Sequence, residues 1–301
     1  MGHNPLHEGL VVAAHGRHYT VEMPDGSLRK CFPRGKKAGT AVGDRVVIEP
    51  QGADEGVIVR QLERRNLLYR SDEMRTKLFA ANVDLLLIVV AVEPAFSDEL
   101  IGRALVATRC AGIKPLVILN KVDLLAQLPA AQARIEKLRG LGLEVIELSA
   151  LDTEQVNAKL LPLLKGRTAL LLGQSGMGKS TLLNALVPKA LAPTQEHSVA
   201  LDAGKHTTTS TRLYHLPDGS GDLIDSPGFQ NFGLSHLSAG NIERGFPEFE
   251  ALLGECRFYN CTHLHEPGCG ILAAVEKGTI ARERHDLYKR LLAEHEDQNR
   301  Y

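Results

Sequence analysis

The chain has 301 residues, a formal net charge of −1, 44% hydrophobic residues and 24% charged ones. That length suits about two or three domains, and the balance is that of a globular chain rather than a disordered or wholly basic nucleic-acid-coating one. No apolar run reaches membrane-span length, and the first residues lack the basic start and long apolar core of a signal peptide, so a cytoplasmic protein without membrane contact is expected.

From the N-terminus, short strands are expected at 9–14, 17–23, 27–32, 44–49 and 56–60, separated by turn signals such as Pro24-Asp25-Gly26 and Pro33-Arg34-Gly35. Five short strands suggest a small barrel, with an OB-fold leading and an SH3-like domain as the alternative. The charged stretch 60–77 has no sustained period and is expected to be a linker. Beyond it, apolar strand-like runs (83–92, 115–119, 144–148, 168–172) alternate with helical stretches (98–110, 129–141, 153–164, 179–186). Such alternation predicts a parallel sheet covered on both faces. From Leu237 onward the pattern is helical, interrupted by a cluster of cysteines and histidines.

The central motif is Gly173-Gln174-Ser175-Gly176-Met177-Gly178-Lys179-Ser180, after the strand 168–172 and opening a helix with Thr181. This is a phosphate-binding loop in its required context: glycines let backbone N–H groups wrap phosphates at a helix N-terminus. Lys179 brings a charge to the β- and γ-phosphates, and the Ser180 hydroxyl is expected on Mg²⁺. Asp225-Ser226-Pro227-Gly228 follows the apolar strand 222–224. Asp225 can hold Mg²⁺ through water there, and Gly228 can offer its N–H to the γ-phosphate. Asn120-Lys121-Val122-Asp123 follows the strand 115–119. The Asp123 carboxylate can accept from guanine N1–H and its exocyclic amine, donors that adenine does not pair on that edge. Asn120 and Lys121 brace the loop and base, and Ser149-Ala150 can present a backbone N–H to the guanine carbonyl. A P-loop ATPase is the competing reading, which the guanine-reading tetrapeptide disfavours.

Between the phosphate loop and Asp225 lies Gly204-Lys205-His206-Thr207-Thr208-Thr209, a candidate switch loop. Thr208 is expected to sense Mg²⁺, with Thr207 next. The residue after Gly228 is Phe229, which cannot orient water, so His206 is the candidate to position it, ahead of Gln230. Five cysteines are too few for a disulfide scaffold. Three of them, Cys256, Cys261 and Cys269, lie close together with His263 and His265 between, a Cys₃His donor set for one structural zinc in which either histidine can serve. Basic clusters at Arg29-Lys30 with Arg34 to Lys37, at Arg60, Arg64 and Arg65, and at Arg282, Arg284, Lys289 and Arg290 are candidate phosphate contacts, with Phe32 and Phe258-Tyr259 placed to stack on bases.

The guanine-reading motif precedes the phosphate loop, the reverse of the usual order. In that order, with the N-terminal barrel and the C-terminal cysteine cluster, the chain resembles circularly permuted GTPases of the RsgA (YjeQ/YloQ) family of small-ribosomal-subunit biogenesis factors. The resemblance covers nearly the whole chain. It implies an OB-fold barrel over 1–65, a permuted α/β GTPase domain over 66–235 and a mostly helical zinc domain over 236–301. It also implies GTP and GDP as ligands with Mg²⁺, the 30S subunit and 16S rRNA as partners, and GTP hydrolysis stimulated by that subunit. It favours His263 over His265 as the fourth zinc ligand and supports a catalytic role for His206. No dimerisation element is evident, so a monomer is expected. The chain after Asp225 runs directly toward the cysteine cluster, so nucleotide state is expected to move the C-terminal domain. The reading of a different class is an RNA-binding module with GTP as a structural ligand.

Overall fold

Alternating burial shapes the N-terminal strands of this computed structural model, which describes residues 5–35, 39–71, 76–188, 190, 210–226, 231–232, 234 and 236–298. The strands are β1 (His7–Ala14), β2 (Tyr19–Glu22), β3 (Leu28–Pro33), β4 (Arg45–Gln51) and β5 (Glu55–Gln61). Val11, Val21, Cys31, Val46, Ile48 and Ile58 turn inward to a core of their own. β3 pairs with β5 in parallel, and β1 pairs with β4 to close the ring. The parallel β3–β5 pairing together with that closure gives the OB-like barrel rather than the SH3-like alternative.

The stretch expected as a linker is structured instead. β6 (Leu67–Ser71) and β7 (Thr76–Ala81) form an antiparallel hairpin, with Leu68 and Phe79 buried. Two of the charges in that stretch are internally paired. Arg64 donates to both carboxylate oxygens of buried Asp44 at 2.6 Å, and Arg65 pairs with Asp84.

The central strands and helices follow in the expected alternation: β8 (Leu85–Ala91), α1 (Asp98–Ala111), β9 (Lys114–Asn120), α2 (Leu128–Gly140), β10 (Glu144–Glu147), α3 (Thr153–Leu164), β11 (Thr168–Leu172) and α4 (Lys179–Leu186). Then come β12 (Arg212–His215), β13 (Asp222–Asp225) and β14 (Asn231–Phe232), the last pairing with β6. The sheet runs β10-β9-β8-β11-β13-β12 and continues through β1 into the barrel. Every residue of β8 is buried, as a strand covered on both faces requires. Strand ends carrying Asn120, Leu172 and Asp225 therefore meet along one edge of a parallel array, where ligands of such sheets bind.

The C-terminal part comprises α5 (Ala239–Arg244), α6 (Pro247–Glu250), a 3₁₀ turn (Leu253–Glu255), α7 (Gly270–Glu276) and α8 (Arg282–Gln298). It rests on α1. Gly102 leaves room for Leu287, and a Cβ at Gly245 would lie 2.7 Å from Val106. Buried Arg103 pairs with Glu99 and Glu294, and Arg109 donates to Arg244 O at 2.7 Å and to Glu250 at 2.6 Å. Phe246, Phe249 and Tyr288 form the aromatic centre of this unit. Among the described residues no helix is long and apolar enough to cross a membrane.

Candidate active site and metal centre

The phosphate loop is shaped by three local constraints. Gly173 follows β11 so closely beneath β8 that a Cβ would run into Val89 O. Gly176 and Gly178 hold φ of 81° and 88°, the left-handed region that glycine tolerates. Met177 turns inward and is buried, which pins the loop between them. Lys179 and Ser180 then open α4, and the Ser180 and Thr181 side chains lie exposed at its first turn. Lys179 Nζ donates to Gly173 O at 2.6 Å and Gln174 O at 2.8 Å, so it already lies across the loop where phosphate oxygens would sit. Burial lowers its pKa, opposed by the charge of Asp225. Ser175 is exposed on the loop's outer rim.

Asp225 ends β13 facing Lys179. Burial raises its pKa, opposed by Lys179 and by the Ser226 N–H. A carboxylate in that setting fits a divalent cation, whose charge would hold it ionised. Ser180, at the first turn of α4, would supply a second donor to such a cation. His206, Thr207, Thr208, Thr209 and Gly228 lie outside the described residues, as do Phe229 and Gln230.

Asn120 joins the two halves of the site. Its side chain is 1% exposed. Nδ2 donates to Met177 O in the phosphate loop at 2.9 Å, and Oδ1 accepts from the Ala150 N–H at 2.8 Å. One amide thus ties the loop after β9, the Ser149-Ala150 turn and the phosphate loop together. Lys121 has φ of 63° and reaches Glu93 O with Nζ at 2.8 Å, bracing the turn that exposes Asp123. Val122 is half-buried, its N–H donated to Leu148 O at 3.4 Å. The Ser149 N–H is donated to Gln155 Oε1 at 3.0 Å. Both backbone donors of the Ser149-Ala150 turn are therefore engaged by protein groups. Sequence reasoning missed Glu93 and the contact of the Ser97 N–H with Gln174 Oε1 at 2.8 Å, which links the phosphate loop to the start of α1. A carbonyl used as a brace leaves no sequence signal.

In the C-terminal unit the donor atoms of Cys256, Cys261, His263 and Cys269 lie within 4.8 Å of one another. His263 Nδ1 is 3.5 Å from Cys256 Sγ and 3.4 Å from Cys269 Sγ, and the two sulfurs are 3.9 Å apart. A tetrahedral zinc with ordinary bond lengths separates such donors by about 3.6–3.8 Å, so the set fits. Burial pushes the Cys261 thiol up to about 12. His263 Nε2 faces Glu243 Oε2 at 3.1 Å, the outer carboxylate that orients a ligating imidazole. Its carbonyl accepts from His285 Nε2 at 2.7 Å. Burial raises the Glu266 pKa, but the Thr262 hydroxyl at 2.5 Å, the Thr262 N–H at 2.7 Å and the His265 N–H at 3.1 Å outweigh it and hold it low, and with the Leu264 N–H they fix the turn. His265 is exposed and outside the donor set. Glu243 was not legible in the sequence, because α5 brings it from before the cluster.

All three basic clusters have members engaged internally, the barrel cluster through Arg34 with Glu49 at 2.7 Å and Arg29 donating to Gly52 O at 3.1 Å. Arg64 and Arg65 are paired as above, Arg284 pairs with Glu248 at 2.6 Å, and Lys289 pairs with Asp286 at 2.7 Å. In the barrel, Lys30 lies 5.2 Å from the centroid of the exposed Phe32 ring. Tyr259 is wholly exposed beside Phe258, over which Arg257 stacks.

Comparison with known proteins gives consistent results. The family model described as RsgA GTPase matches residues 61–235. The chain is 67% identical over 287 residues to the small ribosomal subunit biogenesis GTPase RsgA of Bordetella pertussis, covering 95% of this chain and 96% of that protein. It is 60% identical over 288 residues to the protein of the same name from Paraburkholderia phymatum, covering 95% and 91%. Among solved structures it is similar to YjeQ from Thermotoga maritima, with 31% identity, a TM-score of 0.70 and coverage of 97% and 99%. It is also similar to YloQ, a circularly permuted GTPase, with 29% identity, a TM-score of 0.67 and coverage of 98% and 97%.

Proposed function

The chain belongs to the RsgA GTPase family and is a GTP hydrolase of small-ribosomal-subunit biogenesis, and on that premise we propose that it binds the 30S subunit and its 16S rRNA with GTP and leaves after hydrolysis. The observation that carries this reading is the Asn120 amide, which brings a guanine-reading loop and a phosphate loop into one site despite their reversed order. The three domains divide at 1–65, 66–235 and 236–301. Asp123 reads the guanine edge while Asn120, Lys121, Val122, Ser149 and Ala150 shape the base pocket. Gly173 to Thr181 cradle the phosphates, with Lys179 neutralising charge on the β- and γ-oxygens. Ser180, Thr208 and Asp225 hold Mg²⁺, which polarises the γ-phosphate when bound. His206 orients the attacking water, Gly228 contacts the γ-phosphate, and GDP and phosphate leave. Zinc held by Cys256, Cys261, His263 and Cys269 has a structural role, because four protein donors leave no open position. The exposed rings of Phe32 and Tyr259 suit base stacking on rRNA. The protein acts as a cytoplasmic monomer.

The test is GTP hydrolysis by the purified chain alone, with 30S subunits and with 50S subunits. Stimulation by 30S alone is expected. Equal rates in all three would remove the 30S-stimulated cycle while leaving the nucleotide site, and would favour GTP as a structural ligand of an RNA-binding module.

A further inference from the structure

Barrel and nucleotide sheet meet along a narrow seam. β1 pairs with β12 where Ala13 lies opposite Arg212, and the Ala14 N–H donates to Thr211 O at 3.3 Å. A second contact lies at β7, where the Ala81 N–H donates to Val42 O at 2.8 Å and Asn82 Nδ2 to Gly43 O at 2.9 Å. At the far end of β12 stands His215, between two carboxylates from different domains. Its Nδ1 is 2.6 Å from Asp222 Oδ1 on β13, and its Nε2 is 2.7 Å from Glu22 Oε2 on β2. β1 lies between β2 and β12, so the Glu22 contact reaches across a whole strand.

A carboxylate oxygen accepts hydrogen bonds and donates none. A neutral imidazole has one N–H and one lone pair, and that lone pair would face an oxygen lone pair on one side or the other. Both contacts are satisfied together only when both ring nitrogens carry protons. We propose that protonated His215 is a pH-sensitive latch fastening the barrel to the nucleotide sheet.

The charges facing the ring come from Glu22 on β2 and Asp222 on β13. β1, between them, places apolar Leu10 opposite Glu22. On β12 itself Arg212 lies toward His15, and in the following turn Asp218 is bound by the Ser220 N–H at 3.0 Å. Burial lowers the pKa of His215, but bonding and attraction from Glu22 and Asp222 outweigh it and raise the pKa above 6.5. The sign follows from linkage: the latch is fully closed below the unfolded value near 6.5 and is lost as pH rises through the higher folded midpoint. The ring is 45% exposed, so solvent screening keeps the effect modest. Asp222 begins the strand that ends at Asp225, so the latch grips a strand of the nucleotide site itself.

The experiment is nitrogen-15 histidine NMR on the full chain, paired with amide hydrogen exchange at Ala14 across the seam. Both His215 nitrogens should be protonated below pH 6.5, with a midpoint above that value. Glu22→Gln and Asp222→Asn should each lower the midpoint. Corrected for intrinsic pH dependence, Ala14 exchange should quicken about two- to fivefold above the midpoint, the range that half-exposed ion pairs give, and Glu22→Gln should abolish that step. A singly protonated ring below pH 6.5, or a midpoint at or below it, overturns the proposal. So does a midpoint that responds to Asp222→Asn alone, because the contact would then belong to the β12–β13 pair and not to the seam. An Ala14 exchange rate without a pH step also overturns it.

Discussion

Replacing Asn120 by alanine tests whether one amide assembles the site. The side chain is 1% exposed and makes two hydrogen bonds to main-chain groups, donating to Met177 O and accepting from the Ala150 N–H. Truncation leaves a buried acceptor and a buried donor unpaired, each costing about 1–3 kcal/mol, so the nucleotide-free protein should lose about 2–6 kcal/mol. That is a sizeable part of a total stability of roughly 5–15 kcal/mol. Binding suffers too, because the base loop and the phosphate loop no longer share a strut. A loss of about 2.7 kcal/mol there is on the order of 100-fold in GTP affinity. Asn120→Asp should do no better: it keeps an acceptor for Ala150 but turns an oxygen toward Met177 O. The assays are urea unfolding without nucleotide and titration with a fluorescent GTP analogue. An unfolding free energy unchanged to within about 0.5 kcal/mol, the ordinary effect of a surface substitution, would refute the reasoning.

Three other outcomes are expected. Glu243→Gln removes the carboxylate behind His263 Nε2 at 3.1 Å, and zinc affinity measured by competition with a chromogenic chelator should fall about 10- to 100-fold; unchanged affinity would mean the contact does not orient the imidazole. Asp84 is raised by burial, but the Arg65 bond and the Thr168 N–H at 2.8 Å outweigh this and depress its pKa below 3.8. Its stabilisation is therefore present above pH 3.8 and lost as pH falls through the lower folded value, so Asp84→Asn should flatten that part of the acid-unfolding curve, and an unaltered curve would count against the pairing. His206→Ala should cut 30S-stimulated turnover about 100-fold or more with GTP affinity nearly intact, and the reverse pattern would assign the residue to binding.

What was legible in the sequence was whatever is local. β8 is seven apolar residues in a row, α1 opens with a Ser97 cap and two acids, and Gly176 and Gly178 of the phosphate loop sit where φ is positive. The hairpin of β6 and β7 was hidden because Arg64, Arg65, Arg70 and Lys77 broke the apolar pattern. Its solution is tertiary: Asp44 from the barrel and Asp84 before β8 neutralise the two arginines just before β6. The same holds at the sites. The three cysteine donors follow from spacing and the resemblance favours His263 over His265, whereas Glu243 behind them depends on α5 packing. Asn120 and Lys121 stand in a motif, whereas Glu93 O and Gln174 Oε1 act through positions no residue type announces. Side chains that cap another element's backbone are set by the fold, and the fold has to be known first.

The C-terminal unit was expected to follow nucleotide state through the chain leaving Asp225, but a second connection constrains how it could move. The start of α1 touches the phosphate loop, through the Ser97 N–H on Gln174 Oε1. Along the same helix, Gly102 seats Leu287, Arg103 pairs with Glu294, and Arg109 grips Arg244 O and Glu250. The helix has 14 residues, a rod of about 21 Å. A wide swing of the zinc unit away from α1 would strip Arg103 of Glu294 and lift Leu287 from its seat at Gly102, exposing apolar surface that is now buried. A small sliding of α8 along α1 keeps those pairs and the glycine contacts. Packed helices move in this way without losing their interface. The expected form of any coupling between nucleotide and metal unit through this face is a shear of about 1–2 Å read at the α1–α8 contact, and loss of the Arg103–Glu294 pair on nucleotide exchange would count against it.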